Sequence, residues 1–191
     1  PAVTRAGSHN LVMGALNKYT SYAGLVHGEG NQVLAGHAAS IGGESNRIWA
    51  HSAVTVGGMN TEIFDDAERS VVAAGGYNQV RGDSAGIFAA YNSSADGSFA
   101  SITGGGEHSA TGNFSSISGG QQNDASGYAA SILGGGQNQA SSDYSTVSGG
   151  LRNTASGPFS SLSGGYESRA SGEAASAAGV SVNCSGPYAT C

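Results

Sequence analysis

Hydrophobic and polar positions recur along this chain with a period of about 15 residues. In five consecutive repeats an aliphatic residue stands two positions before a Gly-Gly pair, and small polar residues flank it except where Leu133 follows Ile132. This alternation is typical of a short β-strand that buries one face. The aliphatic residues are Ile102, Ile117, Ile132, Val147 and Leu162. The same frame extends, less regularly, back to about His9 and forward to Ser176, which gives about 12 repeats.

Three other positions of the repeat are nearly constant. Alanine at the tenth position is expected to point into the coil. Asparagine at the eighth position and glycine at the twelfth are expected at turns with left-handed backbone, which these residues adopt more readily than others. The asparagines are Asn78, Asn123, Asn138, Asn153 and Asn183, and the glycines include Gly97, Gly112, Gly127 and Gly157.

Short strands and turns at a fixed period predict an all-β fold, a parallel β-solenoid (β-roll) of about 12 coils with about 15 residues each. One strand per coil is expected to carry the hydrogen bonds between neighbouring coils. Twelve coils at the ~4.8 Å spacing of β-strands give a rod of roughly 55–60 Å. A helical fold is excluded because glycine costs about 1 kcal/mol relative to alanine in a helix, and 33 of the 191 residues are glycine.

Composition indicates a thin cross-section and not a globular core. One aliphatic residue per coil buries little apolar area, so a second face is expected to pack against a partner. Seven Lys and Arg against thirteen Asp and Glu, with a net charge of −6, argue against nucleic-acid binding. No apolar run reaches the length of a membrane span, so no membrane insertion by this chain is expected.

The fourteenth position is the candidate oligomer interface. It is aromatic at Phe99, Phe114, Tyr144 and Phe159, and alternation places it opposite the buried aliphatic residue. Such a column forms either an exposed stripe on a single chain or a contact between identical chains. We expect a homo-oligomer.

The chain is expected to form one domain in three parts. Residues 1–8 are an N-terminal lead-in, residues 9–70 are irregular coils, and residues 71–191 are regular coils that end in a cysteine-bearing cap. Repeats of the irregular part are expected to start at Ala23, Ala38 and Ala53. The repeat from Ala53 is longer than the others, since the next one starts at Val71, and it contains an inserted acidic loop at 61–69.

This acidic loop is the candidate ligand-binding loop, because loops on rigid solenoids often carry binding residues. Its carboxylates are Asp65, Asp66 and Glu68. They lack the alternating ligand spacing and the glycine of a Ca²⁺ loop. We therefore expect a solvated loop, with no metal and no cofactor.

Cys184 and Cys191 are the only cysteines, and both lie near the C-terminal end. Such a pair in a Gly- and Ser-rich chain is typical of an oxidising location. We expect an intrachain disulfide that closes the open end of the solenoid. A bond between subunits and free thiols are the alternatives.

No set of nucleophile, base and orienting group is visible in the sequence, so no enzymatic activity and no catalytic residue are expected. A polysaccharide-degrading solenoid would need a carboxylate cluster on one face, which the repeat positions do not provide. Successive Ser-x-Ser and Ser-x-Thr segments raise the alternative of an ice-binding solenoid, although Leu133 and Ala178 interrupt them.

Residues 125–132 and 155–162 resemble the head repeats of trimeric autotransporter adhesins (the YadA-like head), of the form A-x-G-x-x-S-x-A/I-x-G. The resemblance covers about residues 9–190. It implies a left-handed β-roll that packs as a trimer outside the cell or at its surface. For such a rod we expect a role in attachment, with a host-surface glycan or protein as a candidate partner.

Two departures from the family stand out. Its repeat is typically one residue shorter than the repeat of this chain, and its stalk, neck and membrane anchor are not in this sequence. Similar Ser-Gly-Gly repeats occur in phage tail fibres and secreted bacterial proteins. A phage or phage-like tail-fibre segment, located on a virion, is therefore the alternative.

Overall fold

The computed structural model describes residues 7–191, so most of the predicted lead-in at residues 1–8 lies outside the described residues. This range contains short strands and no helix, and therefore no helix that could cross a membrane. The strands are β1 (Leu11–Met13), β2 (Lys18–Tyr19), β3 (Leu25–Glu29), β4 (Gln32–Val33), β5 (Ala39–Glu44), β6 (Arg47–Ile48), β7 (Val54–Val56), β8 (Glu62–Ile63), β9 (Val71–Ala73), β10 (Gln79–Val80), β11 (Gly86–Phe88), β12 (Ala90–Tyr91), β13 (Ser94–Ala95), β14 (Ser101–Ile102), β15 (Gly105–Gly106), β16 (Ser109–Ala110), β17 (Ser116–Ile117), β18 (Asp124–Ala125), β19 (Ser131–Ile132), β20 (Gln139–Ala140), β21 (Thr146–Val147), β22 (Thr154–Ala155), β23 (Ser161–Tyr166), β24 (Arg169–Ala170), β25 (Ser176–Val180) and β26 (Asn183–Cys184).

Every coil contributes one strand to each of two parallel, 12-stranded sheets. Sheet one has the order β1-β3-β5-β7-β9-β11-β14-β17-β19-β21-β23-β25, and sheet two has the order β2-β4-β6-β8-β10-β13-β16-β18-β20-β22-β24-β26. Strands β12 and β15 form a separate pair. The predicted parallel β-solenoid of about 12 coils is confirmed. The expected single strand per coil is wrong, because the alanine position also lies on a strand.

We number the coils 1–12 by the paired residues that begin each sheet-one strand. These residues are Leu11, Leu25, Ala39, Val54, Val71, Gly86, Ser101, Ser116, Ser131, Thr146, Ser161 and Ser176. The starts predicted at Ala23, Ala38 and Ala53 are therefore one or two residues early.

The insertion in coil 4 is smaller than predicted. Val54 pairs with Val71, so this coil is one residue shorter than the start at Ala53 implied. Its two extra residues follow Ile63, because β8 keeps the regular pairing with both neighbouring strands. Residues 61–63, which the sequence assigned to the acidic loop, thus belong to the regular coil.

In coils 6–11 the interior contains an aliphatic row on sheet one, an alanine row on sheet two and a third row of small residues such as Ala100 and Ser115. The inward aliphatic residues of sheet one and the inward alanines of sheet two are at most 1% exposed in the regular coils, as predicted. Burying one Val, Leu or Ile side chain contributes about 1.5–3 kcal/mol. The buried alanines are Ala95, Ala110, Ala125, Ala140, Ala155 and Ala170.

In coils 2–5 larger residues replace the alanines, namely Val33, Ile48, Ile63 and Val80. In coils 3 and 4 the inward residues of sheet one are Ser40 and Thr55.

Buried asparagines tie neighbouring coils together. The backbone N–H of Asn138 donates to Oδ1 of Asn123, and Oδ1 of Asn138 accepts from the N–H of Asn153, both at 3.0 Å. Nδ2 of Asn138 donates to the carbonyl oxygens of Gly134 and Gly150, also at 3.0 Å. We call this column the asparagine ladder. It satisfies polar groups that would otherwise be buried without a partner.

The predicted positions of left-handed backbone are wrong. Positive φ occurs at the residue before the ladder asparagine, such as Gln137 (φ 54°), and at the aromatic position, as in Phe99 (φ 59°). The twelfth-position glycines, including Gly97 and Gly112, do not have positive φ. A Cβ on Gly97 would overlap the carbonyl oxygen of Gly112 in the next coil. Glycine is required there by the close approach of two backbones.

The C-terminal end is closed by an intrachain disulfide between Cys184 and Cys191, as expected, with their Cα atoms 5.8 Å apart. Cys184 pairs with Ala170 and so takes the inward alanine position of sheet two. The N–H of Cys191 donates to the carbonyl of Ser176 in sheet one at 3.0 Å. The bond therefore joins the two sheets across the last coil. Asn183, assigned to the asparagine column by the sequence, lies in β26 and outside the ladder.

Candidate binding surfaces

The four aromatic residues of the fourteenth position line one edge of coils 6–10. The rings of Phe99 and Phe114 stack with centroids 4.9 Å apart, and those of Tyr144 and Phe159 with centroids 5.1 Å apart. Tyr128 fills the gap between the two pairs, edge-on to Phe114 and to Tyr144 at 5.5 Å. These five rings form one aromatic ladder. The sequence did not reveal Tyr128, because it stands one position earlier in its repeat.

The rings of the aromatic ladder contact one another along the rod. Parallel stacking of Phe99 on Phe114 and of Tyr144 on Phe159 covers one face of each ring, and each of these residues is still about half exposed. Each ring pair contributes about 0.5–1.5 kcal/mol beyond its buried area. The ladder thus stabilises contacts between coils of a single chain. An interface between chains at these residues stays a prediction.

The outward side of sheet one is apolar in coils 1–6. Leu11 is 58% exposed, Met13 46%, and Ile41, Val56 and Phe88 are each 41–42% exposed. The pairing of the strands places these side chains in two adjacent columns, which also contain His27, Ala39, Ala73 and Gly86. We call this surface the apolar face, which consists of Leu11, Met13, Leu25, Ile41, Val54, Val56, Val71 and Phe88.

The sequence did not reveal the apolar face because its frame was shifted in the irregular coils. A slip of one residue moves every side chain of a strand to the opposite side of the sheet. With the start placed at Ala53, the alternation assigned Val54 to the interior. In the structure the inward side chain of that strand is Thr55, which donates a hydrogen bond to Ser40 at 3.0 Å.

The same outward positions carry hydroxyl groups in coils 7–12. Ser116 and Ser131 are paired in adjacent strands, and their Oγ atoms are hydrogen-bonded at 3.2 Å. Leu133 and Ala178 are the apolar interruptions that the sequence already contains. We call this surface the hydroxyl face, which consists of Ser101, Thr103, Ser116, Ser118, Ser131, Thr146, Ser148, Ser161, Ser163 and Ser176.

A second stacked row lies on the outer side of sheet two in coils 3–5. The rings of Trp49 and Phe64 stack at 5.5 Å. The Arg81 guanidinium lies 4.2 Å from the ring centre of Phe64 and pairs with Asp96 at 3.3 Å. Arg81 of the same chain therefore covers one face of the Phe64 ring.

The candidate ligand-binding residues Asp65, Asp66 and Glu68 are exposed on the lengthened turn of coil 4. The carbonyl of Glu68 accepts a hydrogen bond from the N–H of Ser84 at 2.8 Å, so the turn is tied to the next coil. Between residues 7 and 191 no group of three or more His, Cys, Asp or Glu side chains is arranged to hold a metal ion. Ligand binding by this turn stays a prediction.

His108 takes an asparagine-ladder position, between Ser93 and Asn123. Its Nδ1 accepts a hydrogen bond from the N–H of Asn123 at 3.2 Å, whereas its buried Nε2 has no hydrogen-bond partner. Burial lowers the pKa of His108 below its usual value of 6.5. The backbone groups of Gly120, Gly104 and Asn123 oppose this shift without cancelling it. The hydrogen bonding of the ladder is therefore incomplete at His108.

Comparison with known proteins adds no family to this picture. No protein-family model and no curated protein sequence match the chain. The similarity to YadA-like head repeats thus rests on the repeat residues alone, and the fold is a β-solenoid.

Proposed function

We propose that this chain is a non-enzymatic, extracellular rod, a segment of an adhesin head or fibre that assembles as a homotrimer. The observation that carries the proposal is the apolar face. Stacking of coils requires apolar side chains only on the inside, yet coils 1–6 also carry two columns of them on the outside. A contiguous exposed apolar patch is typical of a protein–protein interface.

The coils of a second copy of this chain have the same axial spacing as the coils that carry the apolar face. The face follows six parallel strands, so identical chains lying side by side present the same spacing from coil to coil. At such a contact Ile41, Val56 and Phe88 would be removed from water. Burial of their apolar surface contributes roughly 25 cal/mol per Å² to association. Closed symmetric assembly is the usual outcome for identical chains. The number three comes from the YadA-like resemblance.

The assembled rod would act by mechanical and multivalent attachment. Several parallel rods are stiffer than one and present the same side chains several times. Repeated weak contacts then raise the total affinity without any single strong site.

The mass of the purified chain in solution, measured by light scattering, tests the assembly. We expect three times the chain mass of 18.7 kDa. A monomer would overturn the role of the apolar face, and a dimer would retain that role but overturn the trimer. Binding to a glycan array without release of product is expected of an adhesin, whereas turnover would indicate an enzyme.

The hydroxyl face supports a second candidate, an ice-binding solenoid. Its Ser and Thr side chains repeat in register at the ~4.8 Å spacing of a parallel sheet, an arrangement that can order water. Thermal hysteresis of the purified chain would support this candidate. Its absence at millimolar concentration would exclude it.

A further inference from the structure

A shallow, open groove with many polar side chains runs along the rod in coils 5–10, beside the asparagine ladder. It consists of two adjoining concavities of about 300 and 670 Å³, both bounded by Glu107. One wall is the column of residues that precede the ladder position, and the other is the outward column of sheet two. The central residues are Glu107, Gln122 and Gln137 on the first wall, and Ser109, Asp124 and Gln139 on the second.

Hydrogen bonds between coils hold the wall side chains in place. Nε2 of Gln122 donates to Glu107 at 2.6 Å, and Nε2 of Gln137 donates to Oε1 of Gln122 at 3.0 Å. On the other wall Nε2 of Gln139 donates to Asp124 at 3.3 Å. Fixing a mobile side chain on binding costs about 0.5–1.5 kcal/mol. These bonds join largely exposed side chains, and they lower part of that cost before a ligand binds.

The walls keep unused hydrogen-bonding capacity. A glutamine amide has two N–H donors and two acceptor lone pairs, and a carboxylate has about four acceptor sites. Each bond between coils uses one donor and one acceptor site. Every coil therefore offers further donors and acceptors. Adjacent hydroxyl groups of a sugar, each of which both donates and accepts, match this mixture.

We propose that the groove binds an extended, neutral polysaccharide along the rod axis. This inference rests on the proposed attachment function and names the class of its ligand. A polymer fits better than a single sugar, because the same chemistry recurs at each ~4.8 Å step between strands. Weak contacts at successive coils then add up along one ligand chain.

Charge and backbone bonding disfavour other polymers. Glu107 and Asp124 place a carboxylate on each wall, and the net charge is −6, which disfavours phosphate, sulfate and uronate groups. Arg152 continues the first wall and donates to Gln137 at 2.9 Å, but its charge is paired with Glu167 at 3.1 Å.

A peptide that added a strand would need free backbone groups. At Asn138 the N–H donates to Asn123, and the carbonyl accepts from Asp124. The groove floor thus leaves no strand edge for a peptide.

Affinity electrophoresis of the full chain in native gels tests the proposal. The gels contain dextran, hydroxyethyl cellulose or galactomannan as neutral polymers and alginate as an anionic one. We expect retardation by at least one neutral polymer and none by alginate. The double variant Gln122→Ala with Gln137→Ala should bind at least tenfold more weakly. The matched control, Ser116→Ala with Ser131→Ala, changes the hydroxyl face of the same two coils and should bind unchanged.

A second variant distinguishes loss of binding from loss of folding. Ser109→Trp fills the groove and removes none of the hydrogen bonds between coils described above, and it should abolish retardation while the circular dichroism spectrum stays unchanged. Absence of retardation in all three neutral gels, preference for alginate, or full binding by both groove variants would overturn the proposal. A trimer that binds none of the polymers overturns only the groove, and a monomer that binds through the groove overturns only the assembly.

Discussion

Coils 1–6 and coils 7–12 share one way of stacking but expose different surfaces on sheet one. Inside, Val26 and Ile87 in the first half correspond to Ile117 and Leu162 in the second, and all are buried. Outside, the first half carries the apolar face and the second half the hydroxyl face. Stacking constrains the inward and turn positions, whereas outward positions are free to vary. The outward positions therefore indicate what each half contacts.

The largest expected effect falls on a feature that both halves share. Asn46 and Asn138 both belong to the asparagine ladder, and their replacement by Ala removes three hydrogen bonds in each case. The carbonyls of Gly58 and Gly150 keep a second hydrogen bond from a backbone N–H, so each variant leaves one carbonyl and one N–H without a partner. At about 1–3 kcal/mol per buried unsatisfied group, we expect each variant to cost about 2–6 kcal/mol. Urea unfolding followed by circular dichroism measures the loss. A cost below about 1 kcal/mol in either half would contradict a common stacking mechanism.

The next effect should separate the two halves. Ile41→Asp with Val56→Asp places charges on the apolar face and should weaken self-association at least 100-fold, or about 2.7 kcal/mol. Ser118→Asp with Ser148→Asp changes the equivalent positions of the hydroxyl face and should leave the assembly intact. Light scattering over a concentration series compares the two pairs. Equal dissociation by both pairs would place the interface elsewhere.

Removal of the disulfide should lower the local stability of the C-terminal coils, which then have no covalent closure, like the N-terminal coils. Cys184→Ser with Cys191→Ser opens a link with a sequence separation of 7, and chain entropy assigns about 2.5 kcal/mol to a loop of this size. We expect faster hydrogen exchange in coils 11 and 12 only. Unchanged exchange there, or faster exchange in coil 1, would contradict a local closing role.

The smallest effect concerns His108, in the first coil of the second half. His108→Asn restores the ladder and should stabilise the chain by about 1 kcal/mol at pH 7. Because burial lowers the pKa of His108 from 6.5, the unfolded chain binds a proton more readily than the folded one. Stability of the parent chain should therefore fall as pH decreases below about 6.5.

The difference in unfolding free energy between His108→Asn and the parent chain isolates this titration from the other ionisable groups. It should grow between pH 7 and pH 5. A pH-independent difference would mean that His108 is not the group responsible.

The sequence was sufficient for the features that recur at fixed spacing. The repeat period, the buried row from Ile102 to Leu162, the inward alanines and the Cys184–Cys191 pair all follow from residue type and position. Twelve parallel coils were predicted on the same grounds. These features depend on the backbone repeat, which the regular half makes visible.

Other features depend on contacts that a linear pattern does not contain. The apolar face was missed because Val54 was given the wrong side of its strand. Gly97 was assigned a special backbone angle, but its neighbour in the next coil is the reason for glycine. The groove was missed because Gln122 and Gln137 become neighbours only when coils stack. In each case the determining partner is one coil away.

Every hydrogen bond of the asparagine ladder joins a coil to itself or to the next one. A coil such as residues 116–130 therefore forms a unit that could be duplicated or deleted without changing the bonds elsewhere in the rod. Each such event would change the length of the rod by about 4.8 Å. The length of the rod can thus change in equal steps of one coil, while the coils at both ends stay the same.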